Sequence, residues 1–67
     1  MKVTLNGKAT ARFPAPLKVT ALLDELGFAG QLVLVELDGI ALRPREFAEK
    51  QVEDGAVVEV IRVAAGG

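Results

Sequence analysis

Val3 and Leu5 alternate with Lys2 and Thr4 and run into Asn6-Gly7. Alternation followed by Asn-Gly predicts a β-hairpin, because a type I′ turn needs positive φ at both central positions. The returning arm is expected over residues 8–13, with Ala9, Ala11 and Phe13 on one face. Pro14 and Pro16 close it, since proline has no N–H to give a ladder. From Val19 the period changes. Val19, Leu22, Leu23 and Leu26 stand at i, i+3, i+4 and i+7, the stripe of an amphipathic helix. Lys18, Asp24 and Glu25 take its wet side, and Gly27 supplies the positive-φ stop. A helix of about two turns is not stable alone, so it must lie on a sheet.

Residues 32–35 are uninterruptedly apolar and Leu37 extends the run, which predicts a central strand covered on both faces. Asp38-Gly39 turns it into a short arm over residues 40–42. Residues 43–50 hold one large apolar group, Phe47, with Pro44 near their start; a 3₁₀ turn anchored by Phe47 fits them better than a helix. Glu53-Asp54-Gly55 is another tight turn, and residues 56–63 are dense in β-branched side chains, as a final strand requires. The order β, β, α, β, β, turn, β argues for an α+β fold. The expected sheet is mixed, of four to five strands, with one helix on one face and the first and last strands parallel neighbours at its centre. That arrangement is a β-grasp. The expected division is a β-grasp domain over residues 1–63 and a flexible C-terminal tail over 64–67.

The chain has 67 residues and contains no Cys, His or Ser. Disulfides, thiolate metal sites, thiol and seryl nucleophiles and the commonest general base are therefore all missing. A self-contained enzyme is not expected, and neither is a metal site. Eight Lys and Arg against nine Asp and Glu leave a net charge of −1, without the basic excess of nucleic-acid binders. The longest apolar run is four residues, far short of a membrane span. The expected setting is the cytoplasm.

Gly66-Gly67 stands out. At average usage two terminal glycines arise in roughly one chain in 200, and a frayed tail is the plain alternative. Ala64, Ala65, Gly66 and Gly67 follow directly on the expected last strand and can reach roughly 13 Å at about 3.3 Å per residue. So slim a tail threads a slot that larger side chains would block. Its reactive group is the Gly67 α-carboxylate, a poor electrophile until another enzyme activates it.

The element order, the Asn6-Gly7 hairpin, the Asp38-Gly39 turn and the Gly66-Gly67 end resemble ubiquitin-like sulfur carriers, and more specifically the ThiS family of thiamin biosynthesis. The matching stretches are residues 3–7, 19–23, 35–39, 42–47 and 54–67, and the resemblance covers essentially the whole chain. Two positions depart: Lys18 stands where Thr or Ser commonly precedes the helix, and Arg43 where a hydrophobic residue commonly precedes Pro-Arg. The resemblance implies that a ThiF-like adenylyltransferase joins Gly67 to AMP. Sulfur from a cysteine-desulfurase relay then leaves a Gly67 thiocarboxylate, which serves a ThiG-like thiazole synthase. It also implies that this chain binds no cofactor, ATP belonging to the activating enzyme.

Other candidates are secondary. Arg43 and Arg45 flank Pro44 and are candidates for a phosphate or a partner's carboxylate, against a solvated turn; Arg62 is a candidate contact beside the tail, against edge protection. Asp24-Glu25 and Glu53-Asp54 read as wet surface rather than cation ligands. The strands carry more apolar residues than one short helix covers, so part of the sheet is expected to dock partners. Rival functions are sulfur delivery to molybdopterin or transfer RNA, ubiquitin-like protein modification, and an adaptor that uses only its surface.

Overall fold

A computed structural model of the chain describes residues 1–63. Its elements are β1 (Val3–Leu5), β2 (Lys8–Thr10), β3 (Leu17–Lys18), α1 (Val19–Glu25), β4 (Val33–Leu37), β5 (Ile40–Leu42), a 3₁₀ turn (Pro44–Glu46), β6 (Gln51–Val52) and β7 (Val57–Arg62). Asn6 and Gly7 both take positive φ, 49° and 82°, which produces the β1–β2 reversal. Asp38 at 51° and Gly39 at 81° do the same between β4 and β5.

Five strands form one sheet in the order β2-β1-β7-β4-β5. β1 and β7 run parallel, and the other neighbours are antiparallel. The helix covers one face, on which Val3, Val19, Leu22, Val35, Val52 and Val58 lose almost all contact with solvent. The expected β-grasp is therefore the observed fold, with the last strand at its centre.

Four expectations need correction. β4 is covered on one face only: Val33 and Val35 are buried, while Leu32 and Leu34 are 65% and 60% exposed. One two-turn helix has only enough breadth to shelter one side of the sheet. The second hairpin arm stops at Thr10, short of residue 13. Ala9 and Ala11 are exposed and only Phe13 is buried, because Ala9 faces Thr4 across the ladder, on the uncovered side. The last strand begins at Val57 and ends at Arg62, one residue shorter at each end than expected. Two short strands were not expected at all: β3 and β6 pair antiparallel, Leu17 opposite Val52. This small second sheet ties the chain entering α1 to the loop after the 3₁₀ turn and holds Val52 in the core.

Lys18 offers no side-chain acceptor, and the helix start is served from elsewhere. The Val19 N–H donates to the Lys50 carbonyl at 3.0 Å and the Thr20 N–H to the Phe47 carbonyl at 3.1 Å. Two of the four orphan donors of the first turn are thus satisfied by backbone. Phe47 is buried and holds that carbonyl in place, so the 3₁₀ turn anchors the helix as well as itself. At the other end the Gly27 N–H reaches the Asp24 carbonyl and the Phe28 N–H the Leu23 carbonyl, at 3.1 and 2.9 Å. Gly27 has φ of 81°. This is the Schellman pattern, with half-buried Phe28 packed against the core beneath it.

Candidate functional site: the last strand and the open sheet face

β7 is the strand that leads toward residues 64–67, and its position is set from both sides. On one side it lies along β4 from Val58 to Arg62. On the other, β1 pairs only with Val57 and Val58, and the Asn6 side chain carries the contact further. Asn6 Nδ2 donates to the Val60 carbonyl at 3.1 Å, and its Oδ1 accepts from the Val60 N–H at 2.7 Å. A side-chain amide here replaces the next rung of backbone ladder. At the strand's start, Asp38 Oδ1 accepts from the Val57 N–H at 2.8 Å, and the Asp38 N–H donates to the Val57 carbonyl at 2.8 Å. Two turn residues therefore grip the central strand. Past its end, the Val63 N–H donates to the Leu32 carbonyl at 3.0 Å, which keeps the chain on β4 up to the last described residue.

Of the sequence-derived candidates, Ala64, Ala65, Gly66 and Gly67 lie outside the described residues. Arg62 is exposed at the end of β7 opposite Val33, on the helix side of the sheet and in a strand interior to the sheet order. Register also brings Arg43 to this end, because Leu42 and Val60 both pair with Val35 and Arg43 is the next residue. Arg45 is exposed in the 3₁₀ turn that follows. Glu46 fixes that turn, its carboxylate accepting from the Arg43 N–H at 2.8 Å. The acidic pairs Asp24-Glu25 and Glu53-Asp54 form no metal cage: among the described residues no three potential ligands converge. Asp54 instead accepts from the Lys2 N–H at 2.6 Å.

The uncovered face carries the expected apolar surplus. Leu32, Leu34 and Ile61 are each more than half exposed, and Val57 and Val63 are partly so. Leu34 stands directly opposite Ile61, beside the end of β7. Next to them, Glu36 stands directly opposite Glu59. Leu34, Glu36, Ala41, Glu59 and Ile61 border one depression of about 130 Å³. Reading the sequence alone did not find the Glu36–Glu59 pair or the grip of Asn6 and Asp38 on β7. Asx-Gly marks a turn from sequence, but its partner 54 residues away depends on strand order.

The model of the ThiS family matches residues 3–67. Among solved structures, the chain is similar to the crystal structure of a thiamine biosynthesis protein (ThiS) from Geobacter metallireducens, with 39% sequence identity, full coverage of both chains and a TM-score of 0.83. No curated protein sequence matches. With a family match over nearly the whole length and a full-length structural likeness at this identity, the chain belongs to the ThiS family.

Proposed function

We propose that this chain is a sulfur carrier of thiamin biosynthesis and that the α-carboxylate of Gly67 is the group on which the sulfur is carried. Family membership over residues 3–67 carries the reading. The chain's own chemistry supports it, because a protein without Cys, His or Ser acts as a co-substrate more readily than as a catalyst. In the first step a Gly67 carboxylate oxygen attacks the α-phosphorus of ATP on a ThiF-like adenylyltransferase, and pyrophosphate leaves. The acyl adenylate now has a good leaving group. Sulfur from a cysteine-desulfurase relay attacks the acyl carbon and AMP departs. Any S–S bond left there by a persulfide donor is cleaved by a thiol, and a thiocarboxylate remains. Its sulfur, a strong nucleophile, is passed to thiazole synthase. Ala64, Ala65 and Gly66 thread the partner's active site, and Arg62, Arg43 and Arg45 are the candidate contacts for the partner's surface.

The test is intact mass spectrometry after incubation with a ThiF-like adenylyltransferase, ATP, cysteine and a desulfurase. The expected product is heavier by the difference between one sulfur and one oxygen, and a chain lacking Gly67 stays unchanged. Heavy conjugates would instead indicate a protein modifier, and an unmodified chain an adaptor; either result overturns the proposal. Restored thiazole formation in a thiamin-dependent strain distinguishes this acceptor from molybdopterin or transfer RNA.

A further inference from the structure

The centre of the open face contains an arrangement that works against the stability of the isolated domain. Glu36 and Glu59 are cross-strand partners in the β4–β7 ladder. Directly opposed like charges destabilise a sheet. Their nearest neighbours on this face carry no positive charge: Ala41 stands across from Glu36, and Leu34, Ile61 and Val57 lie two positions along the strands. Arg43, the residue after Leu42, stands across from Leu34, a diagonal step from Glu36. The pair is no cation cage, since no three ligands converge among the described residues. A second copy of the chain is a poor occupant, because a two-fold contact through this face sets the same acidic pair against itself.

We propose that this face receives a protein surface bringing one basic side chain, arginine or lysine, onto the Glu36–Glu59 pair, with its apolar groups on Leu34 and Ile61. The proposal rests on the carrier reading, which requires an enzyme to hold the domain beside its tail. Its ground is charge and shape together. The depression, about 130 Å³, has room for the end of one side chain. A long basic side chain lays its stem on apolar surface and keeps its charged head at the polar rim. Leu34 and Ile61 supply that surface two positions along the strands from the carboxylates. Two acceptors opposed across one ladder suit a guanidinium or an ammonium. The repulsion stored in the free domain is released on docking, and partners lacking the cation are rejected.

The test is ATP–pyrophosphate exchange by the ThiF-like adenylyltransferase of the same source, with the full chain as varied substrate. Wild type is compared with Glu36→Gln/Glu59→Gln and Glu36→Lys/Glu59→Lys. The double Gln variant is expected to raise KM about tenfold, the loss of one charge-assisted contact, with the effect on KM rather than kcat. Its KM should also depend less on salt, and the Lys variant should be worse. Urea unfolding should show the double Gln variant at least as stable as wild type, so that docking and stability move in opposite directions. Equal KM and equal salt dependence in wild type and double Gln overturn the docking proposal and leave the carrier reading standing. Absence of exchange with wild type at every concentration overturns both.

Discussion

Asn6 is the position where a single atom change tests how the central strand is held. Val60 directs both its N–H and its carbonyl at Asn6, with contacts of 2.7 and 3.1 Å. A strand residue presents both groups to the same side, so Val60 has no ladder bond toward β4 to fall back on. Replacing Asn6 by Gly removes both contacts while keeping the permitted φ of 49°. At about 0.5–1.5 kcal/mol net per hydrogen bond, the expected loss is about 1–3 kcal/mol. Asn6→Ala adds the left-handed cost of about 1–2 kcal/mol. Asn6→Asp keeps the acceptor for the Val60 N–H but turns a carboxylate toward the Val60 carbonyl. A proton on that carboxylate restores a donor, so the folded-state pKa is raised above the ordinary value of about 3.9. Between the unfolded and folded pKa values the native state binds more protons, and stability falls as pH rises. The Asp variant should therefore approach wild type near pH 3 and differ most from it near pH 7. Urea unfolding at a series of pH values measures this as a difference from wild type. A Gly variant within about 0.5 kcal/mol of wild type, less than one net hydrogen bond, or an Asp variant with a pH-independent deficit, would refute the clamp.

The two faces of the sheet should respond differently to truncation. Leu22→Ala, at a fully buried site, should cost about 2–5 kcal/mol, whereas Leu34→Ala on the open face should stay within about 0.5 kcal/mol by chemical denaturation. Gly27→Ala should cost about 1 kcal/mol through its φ of 81° alone, since an added Cβ meets nothing within 4 Å. Lys18→Ser, a change that elsewhere gains about 1 kcal/mol by capping, should gain clearly less in the same assay. Val19 and Thr20 already have backbone partners at the helix start.

The features readable from sequence were those encoded within a few residues. Asn6-Gly7 and Asp38-Gly39 encode their turns in allowed φ, the Val19 to Leu26 stripe encodes a helix, and Gly27 encodes its stop. The short β3–β6 pair was invisible because two residues show no period, and only the meeting of distant segments makes them strands. The apolar run at residues 32–35 was misjudged for a related reason. Its outward residues Leu32 and Leu34 are as apolar as its inward ones, so alternation is masked. The number of helices available to cover the sheet then decides which face stays open.

The absence of thiol, imidazole and seryl groups is a property of composition, and it limited the chemistry before any fold was considered. Tertiary structure decided how the last strand is held. It placed β7 at the centre of the sheet, set Asn6 and Asp38 as its clamps, and opposed Glu36 to Glu59 across β4 and β7. Local preferences act through dihedral angles and periods a few residues long, which a sequence displays directly. Strand order and register are settled by burying Val3, Leu22, Val35 and Val58 together, and that outcome belongs to the whole chain at once.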